Sequence, residues 1–372
     1  MLDFLAADRA FLAEKDAEIQ ALEAQVAALK SSISLLRAAR ITVQQRLCSY
    51  KYPVLTLPNE IIVEIFLHFL SPGYPDAPPF MGARSPMRLT HICRQWRDTA
   101  CETPGLWRAI DLYPTRVDDR LESTLSLTAL WVSRSRHCPL SIRAGSYNDL
   151  LSVLAPLIPH RDRWEHLDLT LKSTQPLSSI QGSLPLLKSF TIHFNSSISD
   201  DDSVVNLHDL PLLSTVALDD FKIPHVSLPW SQLTSLTLSW IYPEHCMSIL
   251  RKTTHLERCT LRLWIQDEDE PQNDFVDLLL PRLDTLEIDA DDGVHVDLIQ
   301  YLVAPALHSL CLPESFLGSN PIDSLKSCIS RSGCHLGELQ VAKAYVSENA
   351  YRNAFPSIPD VEVEKSSDSN SD

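Results

Sequence analysis

The chain has 372 residues, of which 44% are apolar and 22% are charged, and its formal net charge is −16. This composition is typical of a globular protein and excludes wholesale disorder. A chain this acidic is a poor candidate for binding nucleic acid, which needs a basic surface. Only 9 residues are glycine, and the glycine-rich motifs of nucleotide-binding and hydrolase sites do not occur. We therefore expect a protein that is not an enzyme.

The nine cysteines contain no C-x-x-C pair, and most lie within apolar patterns. They are typical of reduced, buried thiols in an intracellular protein, so we expect no metal site and no cofactor. The N-terminus lacks the basic flank of a signal peptide. The longest apolar stretch, residues 61–70, is interrupted by Glu64 and His68 and is too short to span a membrane. We expect a cytoplasmic or nuclear protein that does not enter a membrane.

The first region, residues 1–49, contains no proline and no glycine and carries a heptad pattern. Two columns of apolar residues offset by three predict a coiled-coil-like helix. Asp8, Lys15 and Arg40 are polar exceptions in these columns. The columns are Leu5, Leu12, Ile19, Val26, Ile33 and Leu47, and Leu22, Leu29, Leu36 and Val43.

The charges beside this seam do not favour a parallel pair of two copies. In such a pair Glu18 would face Glu23 of the other helix, and the pairs that follow are weak. We therefore expect the helix to pack on the body of its own chain or to give weak self-association.

The second region, residues 53–113, begins with a helix that is apolar on more than one side. Pro58 suits the first turn of a helix, and Glu60 complements its positive end. So wide an apolar surface needs cover from its own domain and from a partner. A proline-rich loop follows over residues 71–86, helical spacing resumes from Met87 to Ala100, and residues 106–112 alternate like a strand.

Three segments of this region resemble an F-box: LPNEIIVEIF at 57–66, LTHICRQWRDTA at 89–100 and TPGLW at 103–107. Together with the heptad helix, they are similar to the F-box-like proteins of mushroom-forming fungi, although the loop at 71–86 is longer than in a compact F-box. The resemblance implies a small all-α domain that binds the Skp-type adaptor of a cullin-based, SCF-type ubiquitin ligase. The contacts it implies are Leu57, Pro58, Ile61, Ile65, Leu89, Cys93 and Trp96.

The third region, residues 120–345, repeats the pattern L-x-x-L-x-L eight times at intervals of 20 to 29 residues, the period of leucine-rich repeats. Segments with helical spacing lie between copies, at 150–154, 275–279, 296–302 and 322–329. We expect an irregular solenoid with parallel strands on its concave face, because the usual polar ladder residue occurs only at Asn195. An atypical first strand is predicted at Leu140 and Ile142. The copies begin at Trp164, Leu187, Leu213, Leu233, Leu256, Leu283, Leu307 and Leu336.

Residues between the repeat leucines face the concave surface, where solenoids commonly bind proteins, although any single one is more typical of a solvated strand. The acidic run at 267–270 is typical of a solvated loop and lacks the pattern of a calcium site. The C-terminal segment, 346–372, is expected to end in a disordered acidic tail from Glu364. The candidate binding residues are His166, Asp168, Thr191, His193, Thr237, Arg258, Thr260, Arg262, Glu287 and Asp289.

The sequence therefore predicts an α/β chain with a long N-terminal helix, a small F-box-like domain and a repeat solenoid. The function this organisation favours is that of a substrate receptor in a ubiquitin ligase, holding an unidentified protein for modification by other subunits. The alternative is a non-catalytic scaffold or interaction protein that acts outside a ligase.

Overall fold

The computed structural model describes residues 2–49, 53–70, 74–113, 121–145, 150–172, 176–177, 180, 182–194, 205–207, 209–219, 226–263, 277–290 and 298–365. These residues form an α/β protein with a long N-terminal helix and a sheet of parallel strands. The predicted α/β class, the N-terminal helix and the parallel strands are therefore confirmed. The chain divides into two compact units, residues 1–62 and 63–372.

In the first unit, helix α1 (Leu2–Ser49) has 48 residues, about 72 Å at 1.5 Å per residue. Good helix formers dominate it, since alanine and leucine are its most frequent residues and it contains no proline or glycine. The ten apolar residues of the predicted seam are 46% to 69% exposed, so none of these side chains is buried. A 3₁₀ turn (Pro53–Thr56) follows.

Helix α2 (Asn59–Phe69) begins in the first unit and ends in the second. Helices α3 (Pro86–Leu89) and α4 (Arg94–Glu102) occupy the stretch where a single run of helical spacing was predicted. Each has its own N-terminal cap, because the Ser85 hydroxyl accepts from the Met87 amide and the Cys93 thiol accepts from the Trp96 amide. A 3₁₀ turn (Pro104–Leu106) follows α4.

Within the described residues, the main sheet has eleven strands, all parallel to their neighbours. Its order is β1-β2-β3-β4-β6-β8-β9-β11-β13-β14-β15. The strands are β1 (Ala109–Leu112), β2 (Leu140–Ala144), β3 (Trp164–Leu171), β4 (Ser189–Phe194), β6 (Thr215–Asp219), β8 (Ser235–Ile241), β9 (Arg258–Leu263), β11 (Thr285–Ala290), β13 (Ser309–Pro313), β14 (Glu338–Ala344) and β15 (Asp360–Lys365). Two further pairs are β5 (Val205–Asn206) with β7 (Val226–Ser227), and β10 (Leu278–Leu279) with β12 (Leu302–Val303).

The register of the sheet follows the predicted repeat. The second apolar position of each copy lies opposite the second position of the next, from Leu167 beside Phe190 to Leu310 beside Leu339. The side chains at the second and third positions of all eight copies are at most 2% exposed. They form a continuous apolar core along one face of the sheet, and each buried side chain of this kind contributes about 1.5–3 kcal/mol.

Helices connect many of the strands. Two predicted helical segments are confirmed, at 150–154 in α6 and at 322–329 in α9. The predicted segment 296–302 is helical at Leu298–Tyr301, but Leu302 begins a strand, and residues 296–297 lie outside the described part of the chain. Leu278 and Leu279, predicted as part of a helix, form β10 instead, where they pair with β12. The helices of this region are α5 (Leu121–Ser135), α6 (Leu150–Leu154), α7 (Pro243–Leu250), α8 (Leu298–Tyr301), α9 (Pro321–Ser332) and α10 (Glu348–Ala354), with 3₁₀ turns at Ile158–Arg163, Trp230–Gln232 and Glu314–Leu317.

Two strands extend the sheet beyond the predicted repeats. β1 lies in the range 53–113 and pairs with β2, which contains the predicted atypical strand at Leu140 and Ile142. β15 pairs with β14, so the prediction of disorder from Glu364 is wrong for Glu364 and Lys365. Asn195 and the acidic run at 267–270 lie outside the described residues.

Candidate interaction surfaces

Helix α2 is apolar on two faces, and only one of them is buried. Ile62 and Phe66 are at most 1% exposed. Ile61, Ile65 and Phe69 follow one another at intervals of four residues, and they are 48%, 43% and 38% exposed. Residues four apart lie on the same face of a helix, so these three form an uncovered apolar stripe.

The other residues of the predicted adaptor surface have different environments. Pro58 is exposed and Leu57 is half-buried, and the Pro58 carbonyl accepts the first amide hydrogen bonds of α2. Leu89 is 3% exposed and belongs to the interior. Cys93 caps α4, and Trp96 packs edge-on against Phe66 with ring centroids 5.0 Å apart. Of the seven, Pro58, Ile61 and Ile65 are the most accessible.

A second surface is the face of the sheet opposite the apolar core, which we call the open face. Neighbouring strands align its side chains in rows, so that Asp168 lies beside Thr191 and Arg262 beside Asp289. All ten residues predicted to face a partner lie there: His166 and Asp168 on β3, Thr191 and His193 on β4, Thr237 on β8, Arg258, Thr260 and Arg262 on β9, and Glu287 and Asp289 on β11.

A loop preceding α3, residues 74–85, is anchored at one end of the open face. The Tyr74 hydroxyl donates to the carboxylate of Glu165 on β3. The Tyr74 ring lies under the Arg108 guanidinium, with 3.5 Å between the ring centroid and Cζ of Arg108. The same ring is edge-on to His166, with ring centroids 5.4 Å apart. Lys188 holds the other oxygen of Glu165 at 2.6 Å. These contacts tie the loop to strand β3 and to Arg108, the residue before β1.

A groove of about 180 Å³ lies between this loop and the open face. Residues 75–77 form one wall, and strands β2, β3 and β4 form the floor. Arg143 and Asp168 bring opposite charges to this floor, whose other polar residues are Ser141, His166, Ser189 and Thr191. A groove of this size and polarity can receive one or two side chains of a bound peptide.

Along the groove floor and beyond it, ionisable side chains run in a line across five strands, β1, β2, β3, β4 and β6. Arg143 pairs with Asp111 at 2.6 Å. His193 lies between two carboxylates, with Nδ1 3.0 Å from Asp219 Oδ2 and Nε2 3.7 Å from Asp168 Oδ1. Within the described part of the chain, the Oδ1 atoms of Asp168 and Asp219 are buried and have no hydrogen-bond partner. A ligand that brings N–H donors would pair with these two oxygens only after the side chains that cover them move aside.

Burial and hydrogen bonding shift the pKa values of three groups at the groove or next to it, Asp168, His166 and Glu165. Burial raises the pKa of Asp168, although His193 and Arg143 oppose that shift. It lowers the pKa of His166. Burial also acts to raise the pKa of Glu165, but hydrogen bonds from Lys188 and Tyr74 outweigh it and hold this pKa below its ordinary value. At neutral pH the Glu165 anchor is therefore an anion, and His166 is uncharged.

Sequence reasoning identified His166, Asp168 and His193 in this cluster but missed the three residues that complete it. Asp219 occupies the same alternating position of its repeat as His193 of the repeat before it, so the pattern could have identified it. Asp111 and Arg143 lie on strands outside the repeat pattern. The anchoring of Tyr74 has no local sequence signal.

In the described part of the chain, no three His, Cys, Asp or Glu residues are placed to hold a metal ion. None of the helices that the structure describes is both long enough and apolar enough to cross a membrane. No protein-family model matches this sequence, and a search of curated proteins finds no relative.

Proposed function

We propose that this protein is a substrate receptor of a cullin-based ubiquitin ligase in the cytoplasm or nucleus. In this proposal an F-box over residues 53–113 binds the Skp-type adaptor. A leucine-rich-repeat solenoid over residues 120–345 presents its strands on a concave face and binds a target protein there. The chain needs no catalytic group or cofactor of its own, because ubiquitin transfer belongs to other subunits.

The observation that carries the proposal is the uncovered apolar stripe of α2. Ile61, Ile65 and Phe69 leave a large apolar area in water, directly after the Leu57-Pro58 turn. Uncovered apolar patches mark binding sites for other proteins. In the F-box resemblance, this turn and this helix are the parts that meet the adaptor.

The open face supports the second half of the proposal. Its groove and the carboxylates of Asp168 and Asp219 offer acceptors and negative charge. A target segment with lysine, arginine or backbone N–H groups complements them.

Adaptor binding tests the proposal directly. The full chain should co-purify with a Skp-type adaptor, and Leu57→Ala/Ile65→Ala should reduce its affinity at least about 100-fold, because interfaces concentrate their energy in a few desolvated anchors. A matched control is Leu212→Ala/Leu279→Ala, since these leucines are 47% and 60% exposed on other elements. Undiminished binding by the first double variant would refute the F-box assignment.

The alternative is a scaffold that acts outside a ligase. The exposed seam of α1 favours it, because a helix of 48 residues with ten uncovered apolar side chains is an interaction surface in its own right. A full chain that binds no Skp-type adaptor at micromolar concentrations, yet assembles through α1, would support this alternative.

A further inference from the structure

The exposed seam of α1 is continuous in its middle and interrupted towards its ends. Apolar residues fill every seam position without a break from Ile19 to Leu36. Asp8 and Lys15 interrupt the seam on one side, and Arg40 interrupts it on the other. An apolar stripe at this spacing is stable in water only when a partner helix covers it.

The positions of these interruptions distinguish two ways of pairing two copies. In a parallel pair in register, each polar residue faces its own copy, so that Lys15 meets Lys15 and Arg40 meets Arg40. In an antiparallel pair centred between Ala27 and Ala28, Asp8 faces Leu47 of the second copy. This centre also matches the apolar positions: Leu12 with Val43, Ile19 with Leu36, Leu22 with Ile33, and Val26 with Leu29.

Two costs remain in the antiparallel pair, because Asp8 shares an apolar layer with Leu47 and Lys15 faces Arg40 of the second copy. These layers lie outside the central block of apolar layers. Glu18 already pairs with Lys15 at 2.8 Å within the same helix, and Asp16 lies next to Lys15, within reach of the incoming Arg40. Long basic side chains can also extend from such a layer towards water.

The charges that flank the seam favour the antiparallel pair. In the antiparallel pair, the residues that directly follow the column of Leu22, Leu29, Leu36 and Val43 lie opposite the same set of residues in the second copy. Asp16 then faces Arg37 of the second copy and Glu23 faces Lys30, which gives four oppositely charged pairs per dimer. In the parallel pair Glu18 instead meets Glu23 and no flanking pair is of opposite charge.

The register of the antiparallel pair is also specified. A shift of one heptad in one direction places Glu23 opposite Glu23 of the second copy. The same shift in the other direction places Lys30 opposite Lys30. The first shift leaves only the Asp16–Lys30 pairs attractive, and the second leaves only the Glu23–Arg37 pairs. Each shift therefore reduces the oppositely charged pairs from four to two per dimer and adds a repulsive pair near the middle of the helix.

We infer that α1 is an antiparallel homodimerisation helix, whose partner is α1 of a second copy of this chain. The two Ser49 residues then lie about 65 Å apart along the pair, at 1.5 Å per residue. The chains therefore continue from opposite ends of one rod, and each copy can engage its own partner. This inference is independent of the proposed function, because it rests on α1 alone.

Disulfide trapping in the full chain tests the orientation. In the antiparallel pair, Ile19→Cys/Leu36→Cys should form a covalent dimer under mild oxidation. In each single variant the two introduced cysteines of the pair lie about 25 Å apart along the axis, so it should give no more covalent dimer than the wild type. The wild type controls for native thiols such as the exposed Cys48. Covalent dimers of Ile19→Cys alone, above the wild-type background, would show a parallel pair and overturn the inference.

Charge reversal provides an independent measurement. Sedimentation equilibrium of the full chain should show a dimer, and Glu23→Lys should raise its dissociation constant about tenfold, because the introduced lysine would face Lys30 of the second copy. Glu23→Lys/Lys30→Glu should restore wild-type affinity. A parallel pair predicts the opposite for Glu23→Lys, because the introduced lysine would then attract Glu18. A specific dimer should form at about 100 µM. The inference would be overturned if the wild-type chain were monomeric at that concentration, or if the Glu23→Lys dimer were tighter than the wild-type dimer.

Discussion

The hydroxyl of Tyr74 donates a hydrogen bond to the carboxylate of Glu165, 91 residues further along the chain. The bond joins the loop before α3 to the first strand of the repeats. It fixes one wall of the groove on the open face, because residues 75–77 follow Tyr74 directly. Burial, together with the Glu165 carboxylate, raises the pKa of Tyr74, so its hydroxyl remains a donor at all physiological pH values.

We expect Tyr74→Phe to loosen this loop without unfolding the sheet. The variant keeps the ring under Arg108 but removes a hydrogen bond to a charged acceptor, which should cost about 1–2 kcal/mol in urea unfolding. Hydrogen exchange of residues 76–85 should accelerate more than that of β6 or β9. Tyr345→Phe is the control, since Tyr345 is 83% exposed. Unchanged exchange in the loop would show that Tyr74 is not its anchor.

The stability that the Glu165 carboxylate provides should decrease as the pH falls. The pKa of Glu165 is held below its ordinary value of 4.5, so the stabilisation it provides is complete above that value and is lost as the pH falls through the lowered pKa. Wild type should therefore be more stable than Glu165→Gln at about pH 7, and the difference should shrink towards about pH 3. An unfolding free-energy difference that grows on acidification would contradict this assignment.

Leu286 and Thr285 test the strand register. Leu286 is 2% exposed, and Asp at this position would bury an unpaired charge at a cost of about 4 kcal/mol or more. Thr285 lies on the open face beside Arg258 of β9, so Thr285→Asp should change the unfolding free energy by less than about 0.5 kcal/mol. Urea denaturation of the two variants makes the comparison. Similar losses in both would contradict the alternation of β11.

The sheet could be predicted because its signal is local. Each repeat places three apolar residues within six positions, and this pattern sets both the strand and the side chains it buries. β15 carries the same alternation at Val361 and Val363, but it has no leucine spacing, so it was not predicted as a strand and its last two residues were predicted to begin the disordered tail. β1 was predicted as a strand, but its pairing with β2 depends on the path of the chain between them.

The candidate site was predicted only where it belongs to the repeat. His166, Asp168 and His193 follow from alternation on β3 and β4. The wall at residues 75–77 depends on the anchoring of Tyr74, a contact between residues distant in sequence. The exposure of Ile61 and Ile65 likewise depends on which face of an apolar helix finds cover, and periodicity alone does not distinguish the two faces.

Glu314 is the buried charge on which the C-terminal end of the sheet depends. It is 5% exposed and begins the 3₁₀ turn after β13. Its carboxylate accepts the amide hydrogens of Tyr345 at 2.6 Å and Val346 at 3.2 Å, and the hydroxyl of Tyr351 at 2.8 Å. It thus joins β13 to the loop after β14 and to α10.

Removal of this carboxylate should destabilise the protein strongly. Glu314→Ala leaves two amides and one hydroxyl without an acceptor and should cost about 3–5 kcal/mol. Tyr351→Phe removes one hydrogen bond and keeps the ring, so its cost should be about 1 kcal/mol. Glu314→Gln should fall between them, because the amide retains one acceptor oxygen but turns a second group into a donor.

Glu348→Ala is the matched control for this series. Glu348 also pairs with a neighbour, Arg352 at 2.7 Å, but both side chains are nearly half exposed, and such pairs contribute little. Glu348→Ala should lower the unfolding free energy by less than about 0.5 kcal/mol. Thermal and urea unfolding of the four variants should give the order Glu314→Ala, Glu314→Gln, Tyr351→Phe, Glu348→Ala, from the largest loss to the smallest. If Glu314→Ala were as stable as Glu348→Ala, the carboxylate would not hold α10 and the loop after β14 to β13.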